Sequence, residues 1–207
     1  AACGVMRVFI LAGEPSGDRL GGALMAGLKE LQPDVSFDGI GGVQMQAQGL
    51  QSRFPMEELS VMGIAEILPK YRALKARIAE TAQAVIDTQP DVLITIDAPD
   101  FSLRVAKLVK QSTQIRTVHY VAPTVWAWRP GRAAKMAQVI DHVLALFPFE
   151  PPYFTDQGIA CDFVGHPVVA EPVASEQDAA DFRRDTKISD APLVMVLPGS
   201  RAGEVSR

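Results

Sequence analysis

The sequence has 207 residues, 48% hydrophobic and 21% charged, an ordinary globular balance that excludes a disordered tail or a collagen-like repeat. With 20 Lys and Arg against 24 Asp and Glu, the formal net charge is −4, which argues against a general nucleic-acid-binding surface. Cys3 and Cys161 form neither a disulfide framework nor a metal-ligand spacing, and the longest apolar runs are strand-sized rather than membrane-spanning. Ala1–Val5 lacks the pattern of a signal peptide, so Met6 reads as the start and a soluble, reducing, cytoplasmic setting is expected.

Short apolar runs alternate with helix-period segments along the chain. Arg7–Ala12 reads as a buried strand, and a helix from about Asp18 carries Leu20, Leu24, Leu28 and Leu31 at helical spacing. A strand is predicted over Ser36–Ile40. A helix follows over Tyr71–Gln89, with Tyr71, Leu74, Ile78, Ala82 and Val85 on one face and Pro90 beyond its end. Val92–Ile96 has the composition of a strand buried on both faces, and Phe101–Gln111 a helix with Asp100 as N-cap. Further strands are predicted at Arg116–Val121, His142–Phe147 and Asp162–Val164. Strand–helix alternation of this kind implies a Rossmann-like parallel sheet covered by helices on both faces.

Residues 169–192 change character, with many charges and few large apolar side chains, and read as a linker with one short polar helix. Leu193–Leu197 then reads as the first strand of a second Rossmann-like unit, followed by the turn Pro198-Gly199-Ser200-Arg201. The expected organisation is a first domain over 6–168, a linker over 169–192 and the start of a second domain over 193–207. The chain is therefore expected to be a fragment, inactive alone.

Candidate chemistry sits mostly after strands. Gly13-Glu14-Pro15-Ser16-Gly17-Asp18 is neither a P-loop nor a dinucleotide fingerprint. It can be an anion-binding helix start, or an ordinary turn with Ser16 as cap and Asp18 balancing the dipole. Asp97 lies at the carboxyl end of a central strand, where ligands bind in open α/β sheets. It can be a general base or a brace for the loop. Trp126, Trp128 and Arg129 can make a wall for sugar rings and acyl chains, or the tryptophans can fill the core. His119 suits a satisfied core histidine better than a catalyst. Ile67–Ala79 carries Lys70, Arg72, Lys75 and Arg77 with no acid, which fits either a membrane-surface helix or a core-packed helix with a solvated basic face. There is no Asp-x-Asp and no His/Cys cluster, so a metal-free mechanism is the simpler reading.

Seven motifs, in order, form one set. They are Ala12–Asp18, Glu57–Gly63, Ile96–Phe101, His119–Arg129, Phe147–Glu150, Phe163–Pro167 and Leu197–Arg201. The set closely resembles the lipid-A-disaccharide synthase family, bacterial glycosyltransferases of the two-Rossmann-domain (GT-B) architecture, from about Met6 to Arg207. The resemblance implies an inverting, metal-independent reaction without a cofactor. In it, UDP-2,3-diacylglucosamine and 2,3-diacylglucosamine 1-phosphate give a β-1,6 disaccharide and UDP in lipid A biosynthesis. It implies Asp97 as the base, and Glu14, Ser16, Gly17, Asp18, Met62, Asp100, Trp126 and Arg129 as substrate-binding residues. Ser200, Arg201 and Glu204 are implied at the nucleotide, whose remaining contacts belong to the missing C-terminal domain. Ile67, Leu68, Tyr71, Leu74 and Ile78 are implied at a membrane interface, which makes the protein cytoplasmic and peripheral to the inner membrane. Tyr71 and Lys75 stand where the family is commonly more aliphatic. Another GT-B transferase using a lipid acceptor, or a non-catalytic acyl-sugar-phosphate binding module, are the alternatives.

Overall fold

The computed structural model describes residues 5–59, 67–129, 131–189 and 191–197, with 67–71 described by their backbone. The chain divides into two compact units, Ala1–His166 and Pro167–Arg207.

The first unit is built on six strands: β1 (Arg7–Ala12), β2 (Ser36–Ile40), β3 (Val92–Ile96), β4 (Arg116–Tyr120), β5 (His142–Ala145) and β6 (Ala160–Phe163). They lie in the order β2-β1-β3-β4-β5-β6, and every pairing is parallel. A parallel sheet needs crossovers, which place helices on its faces and bury the central strands twice over. β3, with the sequence Val-Leu-Ile-Thr-Ile, is accordingly buried at every position. The helices are α1 (Pro15–Leu31), α2 (Val43–Ala47), α3 (Ile67–Thr88), α4 (Pro99–Ser112), α5 (Gly131–Met136) and α6 (Pro151–Thr155). One core cluster joins β1 and β3 to α1, α3 and α4, through Phe9, Ile10, Met25, Val85, Leu93 and Val105 among others. A second lies under α5 and α6, around Met136, Val143 and Phe154.

Several boundaries differ from the sequence-based expectation. α1 begins at Pro15, not near Asp18, because proline has no N–H to leave unpaired and its fixed φ suits the first helical position. Its buried face runs through Gly17, Leu20, Gly21 and Met25, while Leu31 is exposed. α4 likewise begins at Pro99. Its N-cap is Ala98, so Asp100 sits inside the first turn and is not the cap. β4, β5 and β6 are four or five residues long and end before Val121, Phe147 and Val164.

In the second unit a short 3-10 turn (Pro167–Ala170) precedes α7 (Glu176–Asp185). α7 is closed by a capping box in which Ser175 and Asp178 satisfy each other's backbone N–H groups. This is the short polar helix expected in that region. Leu193–Leu197 is not a strand. These residues are exposed and pair with no strand among the described residues, and strand residues need a neighbour to receive their N–H and C=O groups.

Gly39 shows how tightly β1 and β2 approach. It has φ +144°, and a Cβ there would lie 1.8 Å from the Ile10 carbonyl oxygen in the adjoining strand. Gly39→Ala is expected to destabilise the chain by at least the roughly 1–3 kcal/mol typical of overpacked sites. Urea unfolding followed by circular dichroism would read this as a lowered midpoint, and an unchanged midpoint would contradict the close approach.

Candidate active site

The strand order reverses between β1 and β3. The chain leaves β1 towards β2 on one side and returns to β3 on the other. In open α/β sheets this reversal opens a crevice at the carboxyl ends of the strands. Ala12 pairs in register with Ile96, so Gly13 and Asp97 are the first residues beyond the sheet on the two strands that flank the reversal. A Cβ on Gly13 would lie 2.9 Å from the Ala98 Cβ. Gly17, one turn into α1, packs on Ala12 and the Ile96 carbonyl at the same edge.

The backbone around Asp97 is strained. Asp97 and Ala98 have φ +49° and +44°, and Val121, at the end of the neighbouring β4, has φ +78°. Such left-handed conformations cost about 1–3 kcal/mol each and persist only where surrounding contacts hold them. Here the Asp97 N–H donates to the Tyr120 carbonyl at 3.0 Å, and the buried Ser102 hydroxyl donates to the Asp97 carbonyl at 2.8 Å. The Val121 N–H donates to Leu144. Two adjacent left-handed residues turn the chain sharply from β3 into α4 and leave the half-buried Asp97 at the crevice. Its main chain is therefore braced by neighbours.

The other residues singled out in the sequence divide. Glu14 holds the N-cap position of α1 in an extended conformation without a capping side-chain bond, and Ser16 is an exposed residue within the helix, so it is not the cap. Asp18 is 5% exposed. Its Oδ1 accepts from the Gly42 and Met45 N–H groups at 2.8 and 3.0 Å, and its Oδ2 from Gln44 N–H at 2.9 Å. This carboxylate satisfies the free N–H groups opening α2, which corrects its reading as a substrate contact. Met62, Ser200, Arg201 and Glu204 lie outside the described residues.

Both tryptophans face solvent, Trp126 at 44% and Trp128 at 60% exposure, so they do not fill the core. Trp126 meets Phe149 edge-on with centroids 5.3 Å apart, and Phe149 stacks on Phe147 at 5.7 Å. Arg129 lies over the Trp128 ring at 5.3 Å. The buried Glu150 accepts from the Phe147 N–H at 2.9 Å and fixes this turn. The result is an aromatic edge beyond β4 and β5, suited to apolar chains and sugar faces. Phe147 and Phe149 were not candidates on pattern alone. They stand in the Phe147–Glu150 motif, but Phe147 was read as the end of the strand, which stops at Ala145.

A cavity of about 650 Å³ opens between α4 and α5. Asp100, Arg104 and Lys107 line it from α4, Arg132 and Lys135 from α5, and Arg129 from the loop before α5. The Arg132 guanidinium lies 3.8 Å from the exposed Asp100 carboxylate. The i,i+3 spacing of both cation pairs was readable, but only the fold brings the two helices together.

His119 is wholly buried on β4. Its Nδ1 is 2.7 Å from the Thr95 hydroxyl, and its Nε2 has no hydrogen-bond partner among the described residues. Burial, helped by the nearby charge of Arg132, lowers its pKa to about 4, so it is a neutral core histidine. Burial and then the charges of Glu150 and Asp162 push the Cys161 thiol up to about 11, which removes it as a nucleophile. Among the described residues, no group of three or more His, Cys, Asp or Glu side chains is placed to hold a metal ion.

The α3 face expected at a membrane is partly internal. Ile78 is 5% exposed within the core, and Leu74 packs against it, so both leave the interface set. Arg77 is paired with Glu58 at 2.6 Å and Glu80 at 2.7 Å and lies over Phe54. From Leu74 onward the helix is core-packed, with Arg72 and Lys75 exposed. The side chains of Ile67, Leu68 and Tyr71 lie outside the described set. Among the described residues no helix is long and apolar enough to cross a membrane.

Comparison with known proteins gives a consistent family. The lipid-A-disaccharide synthetase family model matches residues 8–207. A lipid-A-disaccharide synthase of Ruegeria pomeroyi is 70% identical over 98% of this chain and 51% of its own length. One from Rhodospirillum centenum is 53% identical over 97% and 50%. One from Pseudomonas syringae pv. tomato is 48% identical over 98% and 53%. The chain thus spans about half the length of these relatives. Among solved structures, a UDP-GlcNAc 2-epimerase from Neisseria meningitidis bound to UDP-GlcNAc has a TM-score of 0.53 at 11% identity, over 89% of this chain and 50% of that one. A putative UDP-N-acetylglucosamine 2-epimerase from Listeria monocytogenes has a TM-score of 0.52 at 10% identity, over 74% and 42%. At such identities the likeness concerns the fold, and it agrees with the Rossmann-like, GT-B-type architecture expected.

The buried imidazole makes stability depend on acid. An unfolded histidine titrates near 6.5, whereas folded His119 binds its proton only near 4. The unfolded chain therefore holds more protons between these values, and stability is lost as pH falls through that window, by up to roughly 3 kcal/mol. Urea midpoints measured from pH 7 to pH 4 should fall, and fall less steeply in His119→Asn; equal slopes would contradict the assignment.

Proposed function

We propose, from the premise that this chain belongs to the lipid-A-disaccharide synthetase family, that it forms the acceptor-side part of a lipid-A-disaccharide synthase. The observation that carries this reading is the position of Asp97, at the first step beyond β3 where the strand order reverses, against the turn at Gly13. The acceptor is 2,3-diacylglucosamine 1-phosphate and the donor UDP-2,3-diacylglucosamine.

The Asp97 carboxylate takes the proton of the acceptor's 6-hydroxyl as that oxygen attacks the donor's anomeric carbon. The new C–O bond forms opposite the breaking bond to the diphosphate, UDP leaves with the electron pair, and the anomeric centre inverts to the β-1,6 linkage. The transition state is oxocarbenium-like, and charge develops on the leaving diphosphate. Ser200, Arg201 and Glu204, within the matched span, are the residues of this chain proposed for that end. Glu14, Ser16, Gly17, Asp100 and Met62 are proposed to surround the acceptor sugar. Trp126, with Phe147 and Phe149, provides apolar surface for acyl chains at the crevice rim, and Arg129 a cation beside it. Both substrates are acylated, so the enzyme works at the cytoplasmic surface of the inner membrane without spanning it. Ile67, Leu68 and Tyr71 at the start of α3 are its proposed contact there.

Asp97→Asn, made in a polypeptide extended to the full length of the relatives, should lower kcat by about 10²–10⁴-fold, the range of general acid–base catalysis. Turnover within about threefold of the parent would remove Asp97 as the base.

A further inference from the structure

We infer that the groove between α4 and α5 is the subsite for the phosphomonoester of the acyl-sugar acceptor. This deepens the acceptor reading above and rests on it. Arg104, Lys107, Arg129, Arg132 and Lys135 line one cavity together with a single carboxylate, Asp100, in a chain whose formal net charge is −4. Like charges gathered in this way repel one another and are retained most readily where an anion offsets them. Arg104, Lys107 and Lys135 make no ion pair among the described residues, and Arg132 has only the 3.8 Å approach to the exposed Asp100. Lys110, one turn further along α4, shows the contrast, since it is tied to Asp141 at 2.6 Å.

Position selects the anion. The groove opens at Pro99 and Asp100, and two Cα–Cα steps of ~3.8 Å each separate Pro99 from Asp97. An acceptor whose 6-hydroxyl meets Asp97 places its 1-phosphate one sugar ring away. Arg132, 3.8 Å from Asp100, is the cation next to that turn, and Arg129 lines the same groove. Planar guanidinium groups suit a phosphate, which they can bind through paired N–H donors. Arg129 is held at φ +54°, and such strain gathers where a side chain must be aimed. Lys107 and Lys135, further along, add an attractive field that draws a dianion in.

The test has two arms. In the first, glucosamine 1-phosphate is titrated into this chain and binding is followed by ³¹P NMR. The parent should bind saturably, and Arg104→Gln/Arg132→Gln should bind about tenfold more weakly or worse, the effect of losing a charged contact. Phosphatidylglycerol vesicles provide the comparison. If the double variant loses vesicle binding but keeps glucosamine 1-phosphate binding, the groove serves lipid head groups and the inference is overturned. It is also overturned if neither ligand distinguishes the variant from the parent.

In the second arm the same variant is made in the full-length polypeptide. Its KM for the phosphorylated acceptor should rise about tenfold, with kcat and donor KM within about twofold, and the difference should vanish with a dephosphorylated acceptor. An unchanged acceptor KM overturns the inference. Asp97→Asn separates the two readings. If it keeps full turnover while the groove variant raises acceptor KM, the base assignment fails and the subsite stands.

Discussion

Between Gly13 and Ala98 there is no room for a second methyl group. These residues belong to the turns that follow β1 and β3, the two strands between which the sheet changes direction. Because the turns touch, Asp97 cannot drift away from the edge, and the left-handed backbone at Asp97 and Ala98 has a wall to push against. α1 and α4 both start from this contact, each with a proline at its first position and without a capping side-chain bond. Proline has no N–H to leave unpaired and its fixed φ suits that first position.

Charge is sorted around this edge by burial. Asp18 is buried and accepts from three backbone N–H groups, so it holds α2 in place. Arg77 is paired with Glu58 and Glu80. Arg104, Lys107 and Lys135 of the α4–α5 groove make no ion pair among the described residues, and the aromatic edge of Trp126, Phe147 and Phe149 lies exposed beyond β4 and β5. A substrate with a sugar, a phosphate and acyl chains asks for this mixture of surfaces.

Much of the frame was legible in the sequence, because strands buried on both faces announce themselves by composition, as Val92–Ile96 does. Helix starts were less legible. Asp100 looked like a cap by type, but the left-handed Ala98 took that position, a conformation that residue type does not encode. Asp18 looked like a ligand contact because motif position cannot show which side of a helix is buried. Ile78 looked like an interface residue for the same reason, since one amphipathic stripe suits a membrane and a core equally. The aromatic edge and the cationic groove depend on segments far apart in sequence, and only the folded chain joins them. Leu193–Leu197 has strand composition, yet strand structure requires a partner as well as a pattern.

The exposure of both tryptophans has an optical consequence. The chain has two, Trp126 and Trp128, and both stand at the aromatic edge rather than inside the sheet. Its intrinsic fluorescence therefore reports the environment of that exposed edge rather than the integrity of the core. An acyl chain or detergent settling there would shift the emission to the blue, whereas unfolding, which moves these rings from water into more water, would change its colour little.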